Sequence, residues 1–269
     1  MVKMTELSWQ GNAVVKLSGL RGDMRVMQDD SRRWLVFEGS EAIQSCMLRN
    51  TPWQLVLPYQ QSMMVWPLFM SSVPKQLAII GVGGGDMIRY LQHAYPAAAI
   101  VAVDEDPVML KMACEYFSLQ PGAKLALQVD TAEQFLQRPQ SPQDLLMIDI
   151  IAGDAAPACI YEQSFWEDCH HAMTAQGIVV ANVIPGSEAA FVGLLETIRS
   201  VFGRLPLCAS IAGHRNIVMF ITPGTIPIPD LDALQLRANK LAVDSGLPVD
   251  DVMQVLKADN KIQNNRFCL

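Results

Sequence analysis

Between residues 75 and 222 the spacing of hydrophobic positions changes repeatedly. Short runs in which nearly every residue is apolar alternate with longer stretches whose apolar residues recur every three or four positions. The first pattern reads as buried strand and the second as amphipathic helix. Strands are predicted at Leu77–Val82, Ile100–Asp104, Leu125–Val129, Leu145–Ile150 and Gly177–Val183. Helices follow them at Asp86–Ala94, from Pro107 to about Phe117, and at Ala132–Gln137, Tyr161–Met173 and Glu188–Phe202. Such alternation predicts a parallel sheet covered on both faces. Two final strands, Leu205–Ile211 and Asn216–Thr222, are separated by Ala212-Gly213-His214-Arg215. A link this short cannot make a parallel crossover, so the pair must be an antiparallel hairpin.

The flanks follow other patterns. Ala13–Leu17, Met24–Gln28, Trp34–Glu38 and Ile43–Leu48 are short strands punctuated by glycine and aspartate, which predicts a small antiparallel layer. Pro58–Met70 places Tyr59, Met63, Trp66 and Met70 on one helical face, with a kink or break expected at Pro67. After a Pro-rich linker from Pro223, helices are predicted at Asp230–Val243, with Asp230 as N-cap, and at Pro248–Lys257. The expected division is 1–57 for the β-layer, 58–223 for the parallel-sheet domain and 224–269 for a helical extension. Five parallel strands closed by an antiparallel hairpin suit an α/β, Rossmann-like S-adenosylmethionine-dependent transferase sheet better than a nicotinamide dehydrogenase.

Composition narrows the function classes. The chain has 269 residues, 51% of them hydrophobic and 17% charged, enough apolar material for a large core. A net charge of -7 argues against nucleic acid as the main partner, since phosphate binding needs clustered Lys and Arg. No basic segment followed by an apolar run opens the sequence, and no apolar run approaches the ~20 residues of a membrane span, so a cytoplasmic protein is expected. Six cysteines without a C-x-x-C fit reduced thiols. Cys169-His170-His171 does not predict a metal site, because adjacent helical residues point ~100° apart and no second ligand cluster is spaced to help.

The chemistry concentrates at strand ends. Ile79-Ile80-Gly81-Val82-Gly83-Gly84-Gly85-Asp86 runs a strand through glycines into a helix, where the backbone can turn tightly and free N–H groups can meet a ligand. Gly81, Gly83 and Gly85 form the G-x-G-x-G of an S-adenosylmethionine loop; the dinucleotide fingerprint fails, because Asp86 stands at its last glycine. Asp104 ends the next strand, about 20 residues on, where a carboxylate can accept from both ribose hydroxyls. Asp106 before Pro107 reads as an N-cap. Asp130, ending the third strand, is a candidate for the adenine amino group, with a helix N-cap the other reading of that turn. Asp149 follows four apolar residues at the mouth of the crevice, where an ion is costly unless it has a task. For transfer from a sulfonium to an amine, such a carboxylate can take the proton and hold the amine in line. Asp154 in the following loop is read as a solvated position.

From about Trp34 to Ile221 these motifs resemble the polyamine aminopropyltransferase (spermidine synthase) family, within the methyltransferase-like superfamily. The resemblance rests on Gly39…Ile43-Gln44-Ser45, Pro58-Tyr59-Gln60, the glycine loop, Val103-Asp104-Glu105-Asp106-Pro107, Asp149, and Phe165-Trp166-Glu167…Gly177-Ile178-Val179-Val180. It implies that Gln44, Tyr59 and Gln60 line the active site, Asp104 holds ribose and Asp149 acts on the amine. It also implies decarboxylated S-adenosylmethionine as co-substrate, a small-molecule amine acceptor, polyamine biosynthesis and a homodimer. The chain departs from the family pattern in three places. Gly84 stands where the glycine loop carries an aspartate, Asp104 where a glutamate is usual, and Ala152 where a second aspartate helps hold the polyamine. Two rival readings remain: a methyltransferase using intact S-adenosylmethionine, and a non-catalytic relative that binds an adenosyl ligand. Asp86 beside the loop is expected to repel the carboxylate of the intact cofactor and attract an aminopropyl ammonium. Trp53, Met63, Met64 and Trp66 are expected to supply an apolar surface for assembly.

Overall fold

The computed structural model describes residues 9–40, 42–138, 141–151 and 155–269. Ala152 and Asp154 therefore lie outside the described residues. The amino-terminal sheet runs β1 (Asn12–Gly19), β2 (Gly22–Gln28), β3 (Arg32–Phe37) and β4 (Ile43–Leu48), in that order and antiparallel throughout.

Next comes α1 (Pro58–Met63), and then a separate 3-10 turn over Trp66–Leu68. The expected kinked helix is thus two pieces. The Pro67 ring conflicts with the carbonyl four residues earlier, that of Met63, where the α-helix stops. The expected assembly surface is also internal: Met63, Met64 and Trp66 are buried, and Trp53 stacks on His93 with ring centroids 4.6 Å apart while staying 39% exposed. An apolar face predicted from periodicity needs a partner, and here it is the protein's own core.

The main sheet has the order β10-β11-β9-β8-β5-β6-β7. Strands β5 (Gln76–Ile80), β6 (Ala99–Asp104), β7 (Leu125–Val129), β8 (Gln143–Ile148) and β9 (Met173–Val183) are parallel. The hairpin β10 (Leu207–Ser210) and β11 (Ile217–Ile221) is antiparallel and extends the sheet beyond β9. Helices α2 (Asp86–Ala94), α3 (Pro107–Tyr116), α4 (Ala132–Gln137), α5 (Gln163–His171) and α6 (Glu188–Phe202) connect the strands. The chain order reverses between β5 and β8, so the crevice above their carboxyl ends is the place where such sheets take ligands.

The carboxyl-terminal helices α7 (Leu231–Ser245) and α8 (Val249–Asp259) close the hairpin side. Asp230 caps α7, accepting from the Ala233 N–H at 2.9 Å. Asp259 accepts from Ser210 N and Asn260 from Cys208 N along β10, so unpaired groups of this edge strand are covered. A final ribbon, β12 (Ile262–Gln263) with β13 (Arg266–Phe267), is absent from the sequence-based expectation. Among the described residues no helix is long and apolar enough to cross a membrane, and no group of three metal-ligating side chains gathers. Cys169 is fully buried in the core.

Candidate active site

The glycine loop sets the geometry. Gly81, Gly83 and Gly85 all take positive φ, at 92°, 52° and 77°. A Cβ on Gly81 would lie 2.1 Å from the Asp149 carbonyl oxygen, so glycine is what allows the ends of β5 and β8 to meet. A Cβ on Gly84 would meet Ser45 at 2.8 Å and Phe117 at 3.0 Å, while the Gly84 N–H donates to Ser45 Oγ at 2.7 Å. The departure at Gly84 is therefore built into how β4 packs on the loop.

A cavity opens above this loop. Its described walls include Gln44, Tyr59, Gln60, Gly81, Gly83, Asp104, Asp130 and Asp149, so eight of the ten proposed site residues meet there. Gly85 lies behind it as the N-cap of α2. Asp104 is clamped at the end of β6: Val82 N donates to Oδ2 at 2.9 Å and Asp106 N to Oδ1 at 3.0 Å. Each oxygen keeps a second lone pair for a ligand hydroxyl. Burial raises this carboxyl above the usual range, against those two donors. Asp106 caps α3, accepting from Val108 N at 2.9 Å, and also ties in the amino-terminal sheet through Leu20 N at 2.7 Å.

The turn after β7 divides its work between two residues. Thr131 caps α4, accepting from Gln134 N at 3.2 Å. Asp130 is buried against the cavity and pairs with Arg138 at 2.6 Å.

Asp86 does not face the cavity. It is 3% exposed, paired with Arg89, and accepts from Cys46 N at 2.9 Å and Gln60 Nε2 at 3.2 Å. Its charge is neutralised by Arg89, so the expected repulsion of a ligand carboxylate has no basis. A carboxylate at the first turn of a helix satisfies backbone and neighbours as readily as it meets a ligand.

Asp149 sits at the floor. Tyr59 Oη donates to Oδ2 at 3.0 Å and Asn182 Nδ2 to Oδ1 at 2.8 Å. Burial drives its pKa up to about 6, although both hydrogen bonds act to lower it. Burial also pushes the Tyr59 phenol well above its ordinary value, with Asp149 adding to the effect, so the ring stays a donor. A carboxylate titrating near 6 in an enclosed crevice has the proton affinity a general base needs close to neutral pH.

Two residues were missed in the sequence. Asn182, 1% exposed on β9, holds Asp149 and accepts from Asn216 Nδ2 at 3.0 Å. Its signal was a single amide inside the apolar run 178–184. Arg21, in the β1–β2 turn, reaches Glu105 at 2.7 Å and donates to the Ile151 carbonyl, closing the cavity rim. Nothing in the sequence linked a hairpin turn to a site 84 residues away. Gln60, which the sequence analysis placed in the site, has its side-chain oxygen buried without a partner.

The sequence model of the spermine/spermidine synthase domain matches residues 56–207, more than half of the chain. The chain belongs to the spermine/spermidine synthase family. The polyamine aminopropyltransferase of Neisseria meningitidis serogroup A is 28% identical over 232 residues, 86% of this chain and 88% of that protein. A spermidine synthase solved in complex with the transition-state analogue AdoDATO superposes with a TM-score of 0.67 at 13% identity, covering 94% of this chain and 85% of that one. Human methyltransferase-like protein 13, solved with SAH, superposes at 0.66 and 19% identity over 72% of this chain and 94% of that one. These two structures share the fold of this family member.

Proposed function

We propose that this family member transfers an aminopropyl group from decarboxylated S-adenosylmethionine to an amine. One observation carries the reading: a carboxylate, Asp149, with its pKa near 6, held by Tyr59 and Asn182 beside the glycine loop. An alkylammonium in water has a pKa near that of lysine, ~10.4, so a carboxylate in water cannot deprotonate it effectively. Enclosure lowers the amine and raises the acid, bringing the two together. Asp149 first pairs with the ammonium and then takes a proton from it. The freed lone pair attacks the methylene beside the sulfonium, the C–N bond forms, and the C–S pair returns to sulfur as a neutral thioether. The phenol of Tyr59 and the amide of Asn182 keep both carboxylate oxygens oriented during this step. The co-substrate supplies the sulfonium leaving group.

Gln44, Gln60, Asp104 and Asp130 are the proposed binding residues, Asp104 for the ribose and Asp130 beside the adenine. The decarboxylated form is favoured because Arg21 is the sole cation in the described cavity wall, and its charge is paired with Glu105. Intact cofactor would bring a carboxylate with no free cation in the described wall to receive it. Assembly as a homodimer remains part of the proposal, through the amino-terminal sheet, where Val14 and Leu20 are exposed. A cytoplasmic setting belongs to it too.

Calorimetry with the decarboxylated and intact cofactors, on wild type and Asp104→Ala, tests the reading. Tighter binding of the decarboxylated form, weakened by roughly a hundredfold in Asp104→Ala, is expected from the loss of two charge-assisted hydrogen bonds. Preference for the intact form would indicate a methyltransferase, and binding of neither would remove the adenosyl site.

A further inference from the structure

Three polar side chains form a row across adjacent strands at one end of the main sheet. Asp149 directly follows β8, Asn182 lies beside it on β9, and Asn216 immediately precedes β11. Val218 is the cross-strand partner of Asn182, and Asn216, two residues before Val218, shares its face of the sheet. Asn216 Nδ2 donates to Asn182 Oδ1 at 3.0 Å, and Asn182 Nδ2 donates to Asp149 Oδ1 at 2.8 Å. The turn that carries Asn216 is itself fixed. Ile211 N donates to the Asn216 carbonyl at 3.0 Å, and the Arg215 guanidinium donates to the Pro185 carbonyl at 3.1 Å.

The direction of these bonds has chemical content. An ionised carboxylate only accepts, so Asn182 must turn its NH2 toward Asp149 and its oxygen away. A protonated carboxyl can be met by the same amide in reverse, with the amide oxygen accepting the acid O–H. The torsion that relates the two is broad and roughly two-fold, so Asn182 alone has little preference between them. Asn182 is 1% exposed, so in the first arrangement its oxygen needs a donor from the protein. Asn216 supplies it, and among the described residues no other group donates to that oxygen. Donation into the oxygen also polarises the amide and makes its NH2 a stronger donor to a negative charge. The reversed chain gains less, because hydrogen bonds to an ion are about twice as strong as those between neutral groups.

We propose that Asn216 is a positioning residue that acts through Asn182, holding the Asn182 donor on Asp149 and so favouring the ionised base. For catalysis the proposal rests on the aminopropyl-transfer reading, in which Asp149 must be ionised to take a proton from the amine. The titratable groups that face Asp149 are Tyr59 from α1 and Asp86 from α2, the latter paired with Arg89. Asp104 lines the same cavity from the end of β6, and His214 and Arg215 share the turn with Asn216. All of them are retained when Asn216 alone is replaced, so a change at Asp149 reports on the amide chain.

The test reads Asp149 itself. Its carboxyl carbon resonance, assigned by its loss in Asp149→Asn, is titrated by NMR in the full-length protein without ligand. Asn216→Leu removes the donor and should move the titration upward by about half a pH unit. Asn216→Asp presents only acceptors, so Asn182 must turn its NH2 toward position 216 and its oxygen toward Asp149, and an upward shift of at least about one pH unit is expected. His214→Asp is the control, because it places the same charge on the exposed part of the turn and should shift the titration much less. An unmoved titration in both Asn216 variants overturns the proposal. A shift in His214→Asp as large as that in Asn216→Asp overturns it too, by assigning the effect to charge alone. Turnover of decarboxylated S-adenosylmethionine with 1,4-diaminobutane is then followed against pH, and the inflection of kcat/KM should move with the NMR titration. An inflection that stays in place while the titration moves would remove the catalytic role of Asn216. No turnover in wild type, with the titration shifts intact, would fail the proposed activity and leave the amide chain standing.

Discussion

Asp149 is a carboxylate whose environment works against its charge, and that makes pH the most direct probe of it. Its pKa of about 6 in the folded protein lies above the 3.8 of an unperturbed aspartate. As the proposed base it would act only when ionised, so kcat/KM should rise with pH through about 6. Removing the Asn182 donor should move that inflection upward by roughly a pH unit, because one hydrogen bond to a charged group contributes about 1.5–3 kcal/mol. Asn182→Leu tests this through the pH profile, which a merely structural residue would not shift. The stability consequence has the opposite sense to the usual salt-bridged aspartate. The folded state holds the proton more tightly, so stability is full below about 4 and is lost as pH rises toward 6. Asp149→Asn should therefore melt at higher temperature than wild type at pH 7.5 and at the same temperature at pH 4. The expected gain is on the order of 1–2 kcal/mol, after allowing for one impaired hydrogen bond. Turnover in this variant should fall by a factor on the order of 10²–10⁴. Asp149 was visible in the sequence because an ionisable group ended an apolar strand. Asn182 was not singled out, since an amide in a strand can be satisfied by many partners and the sequence does not say which.

At the level of elements, the joint between the amino-terminal sheet and the glycine loop organises the site. Ser45 to Gly84, Cys46 to Asp86 and Leu20 to Asp106 are hydrogen bonds that fix the sheet onto the loop and onto α3. The Asp86–Arg89 pair is central to this joint, with Arg89 also donating to the Gly84 and Phe117 carbonyls. Arg89→Met would leave the Asp86 charge buried and unpaired, an expected loss of about 3–5 kcal/mol. A urea titration checks it, with a lowered midpoint and unchanged slope as the expected outcome. Gly84→Asp, which restores the family's residue, should also destabilise, by about 1–3 kcal/mol, because Ser45 and Phe117 occupy the space. Helix starts at Asp106 and Asp230 were legible, since an N-cap depends on a few adjacent residues. The role of Asp86 was misjudged because its partners, Cys46 and Gln60, are far away in sequence.

For the whole molecule, strand–helix alternation specified the parallel sheet, and the four-residue link specified the hairpin; the observed strand order agrees with both. Where a face of the 58–70 segment would pack could not be read in the same way. Periodicity identifies an apolar face and leaves its partner open, and the surface expected for assembly is buried within the chain. Part of that partner is α7, whose Arg237 donates to the Leu68 carbonyl at 2.8 Å and the Met70 carbonyl at 3.2 Å. The carboxyl-terminal helices thus cover the hairpin edge and brace the segment carrying Tyr59.

The central claim is that the glycine-loop cavity and Asp149 together move an aminopropyl group. The most direct measurement follows release of 5′-methylthioadenosine from decarboxylated S-adenosylmethionine, with and without an amine, in wild type and Asp149→Asn. The account predicts release that depends on the amine, forms the aminopropylated amine in equal amount, and drops sharply in the variant. Tight binding of the cofactor with no amine-dependent release in wild type, or equal release in both proteins, would contradict it.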